Sequence, residues 1–128
     1  MASFNVLIVD DSEIVRDIII ATLDAAGIDV AHNYEAGNGQ VALEVLGAED
    51  VDIVFLDLNM PVLNGIDMVR KMKENPAWDG IPVVVISTEG STARVAQLKE
   101  MGVNAYIRKP FRPEDIRNVM DEVLGGAA

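Results

Sequence analysis

The sequence predicts an α/β protein with one doubly wound, five-stranded parallel sheet and five helices on its two faces. Four apolar runs of about six residues are β-branched and nearly continuous, which is typical of strands buried on both faces. Segments with helical spacing alternate with these runs, so the predicted order is βαβαβαβαβα. A chain of 128 residues that is 50% hydrophobic can form one compact core. We therefore expect a single domain over residues 1–128.

The strands are predicted directly from the apolar runs. The four strong runs are Phe4–Val9, Val51–Leu56, Ile81–Ile86 and Val103–Arg108. A weaker run, Ile28–Tyr34, contains enough polar residues to be an edge strand. Crossovers between parallel strands of one sheet are right-handed, and they distribute the helices over both faces of the sheet.

Five helices are predicted between and after the strands. The first has Ser12 as its N-cap and ends at Gly27. The last begins with Pro113, continues with acidic residues and an apolar stripe, and ends at Gly125–Gly126. The other three are expected at Gln40–Leu46, Asn64–Asn75 and Ser91–Met101. The last of these three has a poor apolar stripe, so we expect it to be less firmly packed.

Charge and composition exclude several classes of protein. Ten basic residues against 21 acidic ones give a formal net charge of −11, which disfavours binding to nucleic acid or to anionic membranes. Without cysteine there is no disulfide framework and no thiolate metal site. The first apolar run is too short for a membrane span and lacks the basic flank of a signal peptide. We therefore expect a cytoplasmic protein.

Polar residues follow the predicted strands at their carboxyl ends, where doubly wound sheets bind ligands. They are Asp10–Asp11, Asp57, Ser87–Thr88 and Lys109–Pro110. Carboxylates held close together repel each other unless a cation lies among them, and Mg²⁺ is the cation that best fits an all-oxygen set. A metal ion bound by carboxylates, together with a lysine and a hydroxyl group, can stabilise a phosphoryl group. An aspartate in such a site can itself attack phosphorus and form an aspartyl phosphate.

Taken together, these positions resemble the receiver domain of two-component response regulators over essentially the whole chain. The residues that carry the resemblance are Asp10–Asp11, Asp57, Asn59–Met60–Pro61, Gly65, Ser87, Tyr106 and Lys109–Pro110–Phe111. We expect no output domain after the fifth helix, so the chain is most similar to the stand-alone, CheY-like chemotaxis members. The resemblance implies the flavodoxin-like strand order 2-1-3-4-5, which is already known for CheY.

The resemblance also implies a role for each charged residue of the site. Asp57 is the expected acceptor of a phosphoryl group from a phosphohistidine of a sensor histidine kinase. Asp11, Asp57 and the backbone carbonyl of Asn59 are expected to bind Mg²⁺ directly, and Asp10 through a bound water. Lys109–Pro110 is expected to have a cis peptide bond, with the lysine pairing with the phosphoryl oxygens.

Switching and phosphoryl lifetime are expected to depend on further residues. The resemblance implies that the Ser87 hydroxyl moves to the phosphoryl group and that Tyr106 turns inward. This would repack the partner-binding surface of the fourth helix, fifth strand and fifth helix. Serine stands where the family more often has threonine. Asn59, Glu89 and Thr88 are expected to tune how long the acyl phosphate lasts.

The resemblance predicts a signalling switch that catalyses its own phosphotransfer and dephosphorylation, rather than an enzyme acting on a separate substrate. The expected partners are the kinase, a phosphatase and a flagellar motor switch protein, with the chain itself a monomer. A phosphate sink, a phosphorelay intermediate and a phosphorylation-independent adaptor remain alternatives.

Two enzyme-like or cofactor-binding alternatives are disfavoured by particular residues. A haloacid-dehalogenase-type phosphatase needs a second aspartate two residues after the nucleophile, where this chain has Asn59. A flavodoxin-like carrier of flavin mononucleotide would place its phosphate against Asp10–Asp11, which would repel it. The glycine-rich motifs of nucleotide-binding loops do not occur.

Two residues outside this site are expected to have structural roles only. His32 is the single histidine, and we expect it on the surface of the edge strand without a role in chemistry. Trp78 is expected to cover the core before the fourth strand rather than to form a binding platform.

Overall fold

The computed structural model describes residues 3–58, 60, 62–88 and 91–124. In this part of the chain five strands alternate with five helices, as the sequence predicts. The strands are β1 (Phe4–Val9), β2 (Val30–Ala36), β3 (Ile53–Leu56), β4 (Val83–Ser87) and β5 (Ala105–Arg108). The helices are α1 (Glu13–Ala25), α2 (Gly39–Ala48), α3 (Gly65–Glu74), α4 (Thr92–Glu100) and α5 (Pro113–Val123).

The five strands form one parallel sheet in the order β2-β1-β3-β4-β5, which confirms the predicted fold class and strand order. The connection from β1 to β2 leads to one side of β1, and β3 lies on the other side. Such a reversal opens a crevice beyond the carboxyl ends of the two central strands. Because Val9 pairs with Leu56, the residues that follow β1 and β3 emerge side by side.

The sheet separates two apolar cores. Val6 and Ile8 of β1 face the core under α1 and α5, whereas Leu7 and Val9 face the core under α2, α3 and α4. Every residue of β3 and β4 is buried, as expected for central strands covered on both faces. The site at the end of these strands therefore stands on a rigid base.

Four of the five strands, β2 to β5, begin two residues later than the sequence predicts. β2 begins at Val30 because the backbone N–H of Ile28 donates to the carbonyl of Leu23 and belongs to the end of α1. β4 begins at Val83 because Pro82 has no N–H to donate to a neighbouring strand. At the carboxyl ends, β3 and β5 stop at the predicted residues, whereas β2 extends to Ala36 and β4 includes Ser87.

The predicted ends of α1 are confirmed in detail. The Ser12 hydroxyl accepts a hydrogen bond from the N–H of Val15, at 3.3 Å. Gly27 ends the helix with a φ of +77°, a conformation that L side chains rarely adopt. The carbonyl of Ala26 accepts two hydrogen bonds from the guanidinium of Arg117, at 3.0 and 2.6 Å, so this helix end is tied to α5.

The remaining helices largely follow the predicted pattern. Leu98 is the only buried residue of α4, which agrees with the weak apolar stripe expected for this helix. Gly125–Gly126, the predicted end of the last helix, lies outside the described residues. None of the helices in the described part of the chain has the length and apolar composition to cross a bilayer.

Candidate phosphoryl and metal site

Three carboxylates meet where β1 and β3 end. The backbone N–H of Asp10 donates to the carbonyl of Ala36 at 3.1 Å, and that of Asp57 donates to the carbonyl of Val9 at 2.9 Å. Both loops are thereby fixed by continuations of the sheet hydrogen bonding. Each of Asp10, Asp11 and Asp57 has a carboxylate oxygen within 4.8 Å of the others. The structure therefore brings together the carboxylates that the sequence pattern selected.

Asp10 is the most constrained of the three carboxylates. It is almost fully buried, and its Oδ1 accepts a hydrogen bond from the N–H of Ser12 at 2.9 Å. Its Oδ2 lies 3.3 Å from the Nζ of Lys109. Lys109 is held in turn by its own N–H, which donates to the carbonyl of Ser87 at 2.9 Å. Its peptide bond to Pro110 is cis, as predicted.

Asp57 is half-buried, and its electrostatic surroundings raise the pKa of its carboxyl group. Burial is the largest cause, and the negative charge of Asp10 adds to it. The positive charge of Lys109 and a hydrogen bond from the backbone of Leu58 act in the opposite direction, while Asp11 raises the pKa further. The net result is a carboxylate held in a region of excess negative charge, which a nearby cation would relieve.

Gly65 allows the start of α3 to lie directly against the Asp57 loop. A Cβ placed on this glycine would lie 2.6 Å from the carbonyl oxygen of Asp57 and 2.9 Å from the Cα of Leu58. The N–H of Gly65 also donates to the carbonyl of Leu58, at 3.0 Å. The glycine is therefore needed for the close approach of the two backbones, and the first residue of α3 packs against the backbone of Asp57 and Leu58.

The hydroxyl-bearing residues lie on the neighbouring strands. Ser87 is buried at the end of β4, and Thr88 beside it is exposed. Tyr106 lies in β5, one strand further from Asp57, and its ring packs against the core under α2, α3 and α4. The Oη of Tyr106 is buried without a hydrogen-bond partner among the described residues. Asn59, Pro61 and Glu89 lie outside the described residues.

Arg16 also contributes to the site, although the pattern of residues after the strands does not indicate it. One guanidinium nitrogen, Nη1, donates to the carbonyl of Asp10 at 2.5 Å, and Nε donates to Glu35 at 3.0 Å. Arg16 thus links the Asp10 loop to β2. It is the only basic residue of α1, which is a signal that sequence reasoning could have used.

The donor set fits a hard divalent cation. The three carboxylates supply only oxygen ligands, which suits Mg²⁺ and gives no preference to Zn²⁺. One ammonium group faces them, so two negative charges remain without a paired cation among the described residues. Asp11 is exposed, which leaves the cluster open to solvent on one side. The acidic cluster is therefore compatible with magnesium binding.

The two residues predicted to have structural roles lie away from this cluster. His32 is exposed on β2 and stacks on Tyr34, with ring centroids 5.8 Å apart. Trp78 is partly buried and packs against the core under α2, α3 and α4, as predicted for a cover. His32 does not join the three carboxylates as a possible metal ligand, and Trp78 lies with residues at the amino ends of the strands.

Known proteins resemble this chain in both sequence and structure. A family model described as the response regulator receiver domain matches residues 6–121. A chemotaxis protein CheY homolog of Campylobacter jejuni is 38% identical over 122 residues, which cover 94% of this chain and 92% of the relative. Chemotaxis protein CheY1 of Helicobacter pylori is 40% identical over 122 residues, covering 94% of this chain and 97% of the relative.

Solved structures give the same fold. Chemotaxis protein CheY4 of Vibrio cholerae superposes with a TM-score of 0.84 at 30% identity, covering 95% of this chain and 99% of that one. The receiver domain of a Pseudomonas aeruginosa sensor histidine kinase, which has a magnesium ion coordinated in its active-site cleft, superposes with a TM-score of 0.83. At 20% identity, with 98% of this chain and 100% of that one covered, the second comparison shows the shared fold alone.

Proposed function

The chain belongs to the response regulator receiver domain family, and from this membership we propose a specific phosphotransfer to Asp57 as the event that controls it. Membership makes the chain a phosphorylation-regulated signalling protein, and its relatives include chemotaxis proteins. The proposal adds the acceptor residue, the phosphodonor and the metal. We propose a sensor histidine kinase as the phosphodonor and chemotaxis as the pathway.

The proposed reaction transfers a phosphoryl group between two side chains. A carboxylate oxygen of Asp57 attacks phosphorus as the bond from phosphorus to the donor imidazole nitrogen breaks, and the leaving imidazole takes up a proton. The signal ends by hydrolysis of the acyl phosphate. Water attacks the same phosphorus, the phosphorus–oxygen bond to Asp57 breaks, and inorganic phosphate leaves. The half-buried position of Asp57 at the end of β3 leaves the carboxylate accessible to both reactants.

The charged residues around Asp57 would offset the charge of the phosphoryl group. Phosphorylation adds about −1.5 to −2 charge to a site that already contains two other carboxylates. Asp10, Asp11 and Asp57 would hold Mg²⁺, together with the carbonyl of Asn59, and the metal would neutralise charge on the transferring oxygens. Lys109, now paired with Asp10, would change partner to the phosphoryl oxygens.

The proposed output is a change in packing beyond β4. Ser87 ends the strand next to β3, so its hydroxyl is the candidate to hydrogen-bond a phosphoryl oxygen. Tyr106 and the loosely packed α4 are the candidates to move with it, because α4 buries only Leu98. A motor switch protein would bind the resulting surface of α4, β5 and α5. Thr88, Asn59 and Glu89 are proposed to set the lifetime of the acyl phosphate.

Other features of the proposal remain predictions. They are a single receiver domain over residues 1–128, a monomer, a cytoplasmic location, the action of a phosphatase, and a role in output rather than as a sink or relay. The distinction between output and sink requires a partner that binds one phosphorylation state better than the other.

The single observation that carries the proposal is the convergence of Asp10, Asp11 and Asp57 within 4.8 Å, with Lys109 against them. The test is incubation with acetyl phosphate, with and without Mg²⁺, followed by intact mass measurement. We expect the wild-type chain to gain one phosphoryl group only with Mg²⁺, and to lose it on treatment with hydroxylamine. Asp57→Asn should gain none.

The matched control is Asp17→Asn, which removes an exposed carboxylate of α1 and the same amount of charge. This variant should be labelled like the wild type. Labelling of Asp57→Asn to the wild-type level, or labelling of the wild type that does not depend on Mg²⁺, would refute the proposed acceptor and metal respectively.

A further inference from the structure

A cavity lies at the opposite end of the strands from the three carboxylates. It is formed at the amino ends of β1, β3 and β4 and has a volume of about 570 Å³. Its apolar floor includes Leu46, Val51 and Ile81, all of which pack in or against the core under α2, α3 and α4. Trp78 forms part of the wall.

Three exposed acidic residues line this cavity, and no described lining residue is basic. Asp52 is fixed by the N–H of Asn5, which donates to its Oδ2 at 2.7 Å. Glu49 accepts a hydrogen bond from the hydroxyl of Tyr34, at 3.2 Å. Asp50 has no hydrogen bond or ion pair within the described part of the chain. The cavity therefore combines an apolar floor with uncompensated negative charge.

The negative charges of this cavity affect the pKa of the nearby Tyr34. The pKa of its hydroxyl is raised, first by partial burial and then by its hydrogen bond to Glu49 and the charges of Glu49 and Asp50. The acids are not arranged as metal ligands. Among the described residues, the only group of three acidic, histidine or cysteine side chains with ligand atoms close enough to hold a metal is that of Asp10, Asp11 and Asp57. A larger cation that spans the separated carboxylates fits this cavity better than a metal ion.

Trp78 gives the cavity a preference among larger cations. Its backbone is held in a turn, since its N–H donates to Asn75 at 2.9 Å and its carbonyl accepts from Ile81 at 3.0 Å. The backbone that carries the ring is therefore held before any ligand arrives, and the side chain packs against the core under α2, α3 and α4. A guanidinium group stacks on aromatic faces, loses less hydration than an ammonium group, and can donate to two carboxylates at once.

We propose that this cavity binds an arginine side chain from a basic segment of a partner protein. The apolar floor would hold the methylene stem of the arginine, Trp78 would stack on the guanidinium, and the rim carboxylates would accept its hydrogen bonds. A partner with an excess of positive charge matches both the cavity and the net charge of −11. In this role Trp78 is a binding platform as well as a cover of the core. The cavity lies at the end of the strands away from Asp57, so a partner here would leave the phosphoryl site free.

Trp78 is the only tryptophan of the chain, so all tryptophan fluorescence comes from a residue that lines this cavity. The test titrates the full chain with an acetylated and amidated peptide of alternating arginine and glycine. A matched peptide has citrulline, which is close in shape but uncharged, in place of arginine. We expect a saturable change in emission with the arginine peptide and none with the citrulline peptide. In a parallel heteronuclear NMR titration, the amides of Asn5, Asp50 and Val51 should shift with the arginine peptide.

Two substitutions separate a local site from the effect of overall charge. Asp50→Asn should raise the dissociation constant about two- to fivefold, as expected for the loss of one exposed ion pair. Asp24→Asn removes the same charge from an exposed position on α1, on the opposite face of the sheet, and should leave the dissociation constant unchanged.

Four results would overturn the proposal. The first is that the arginine peptide changes neither Trp78 emission nor the amide chemical shifts, and the second is that the citrulline peptide binds equally well. The third is that Asp24→Asn and Asp50→Asn weaken binding of the arginine peptide equally. The fourth is that Trp78 emission changes with protein concentration in the absence of peptide. The last result would assign the cavity to a second copy of this chain.

Discussion

The Nζ of Lys109 lies 3.3 Å from the Oδ2 of Asp10, so the lysine that follows β5 pairs with the carboxylate that follows β1. The side chain of Asp10 is only 4% exposed, whereas that of Lys109 is 21% exposed. A buried carboxylate is costly unless a cation or hydrogen bonds compensate its charge, and Lys109 supplies such a cation. It follows that Lys109 and a divalent cation compete for the same negative charge.

Replacement of this lysine tests the competition. Lys109→Met is expected to increase the affinity for Mg²⁺ about three- to tenfold, because it removes about 1 kcal/mol of repulsion between like charges. Isothermal titration with MgCl₂ at about pH 8, where carboxyl groups are ionised, measures the effect. Lys71→Met, at an exposed position of α3, is the control with the same change in charge and should bind as the wild type does. A lower affinity of Lys109→Met would mean that the lysine holds the carboxylates in place.

The raised pKa of Asp57 makes the stability of the protein dependent on pH in a stated direction. A carboxyl group whose pKa is higher in the folded state destabilises the fold when it is ionised. When a chelator removes divalent cations and the pH is above the raised pKa, Asp57→Asn should therefore be more stable than the wild type. The gain should be a few tenths to about 1 kcal/mol, since solvent screens a half-buried group.

The gain should shrink as pH falls through the raised folded-state pKa, and it should vanish toward 3.8, the ordinary pKa of an aspartate carboxyl group. Urea unfolding over this range measures it. Asp17→Asn, on the exposed face of α1, controls for net charge and should show no such dependence. Added Mg²⁺ should stabilise the wild type and reverse the order of the two proteins. A wild type that is more stable than Asp57→Asn in chelator at high pH would contradict the repulsion argument.

The parts of this structure that depend on pattern are predictable from the sequence. The continuous apolar run before Asp57 predicts a central strand, and the rule for ligand sites in doubly wound sheets predicts that Asp10 and Asp57 meet. Both predictions need only the order of elements and the residue after each strand. The strand order itself follows from the family resemblance, since several orders are compatible with alternating strands and helices.

The parts that depend on side-chain paths are not predictable in this way. The pairing of Lys109 with Asp10, and the bond from Arg16 to the carbonyl of Asp10, join positions through flexible side chains that periodicity does not orient. The start of β2 was also predicted two residues too early, because the N–H of Ile28 is used by α1. Local hydrogen bonds of this kind have no signature in hydrophobicity.

The contact between Gly65 and Asp57 predicts a site-specific defect. In Gly65→Ala the new Cβ would lie 2.6 Å from the Asp57 carbonyl oxygen, so α3 or the loop must move. We expect a loss of about 1–3 kcal/mol in the free energy of unfolding, together with slower phosphorylation. Urea unfolding and acetyl phosphate labelling measure the two effects.

Gly47→Ala in α2 is the matched control for Gly65→Ala. A Cβ at position 47 would meet no atom within 4 Å, and alanine is the better helix former, so this variant should be about 0.5–1 kcal/mol more stable than the wild type. Wild-type stability and labelling in Gly65→Ala would show that the backbone contact is not needed.

The buried hydroxyl of Tyr106 predicts an unusual effect of its removal. Its Oη has no hydrogen-bond partner among the described residues, so the folded state bears a desolvation cost that phenylalanine would not. Tyr106→Phe should therefore leave the free energy of unfolding unchanged or raise it by up to about 1 kcal/mol in urea unfolding. Tyr34→Phe, which loses an exposed hydrogen bond to Glu49, should lower it slightly. A Tyr106→Phe variant that is clearly less stable than Tyr34→Phe would show that the Tyr106 hydroxyl has a partner in solution.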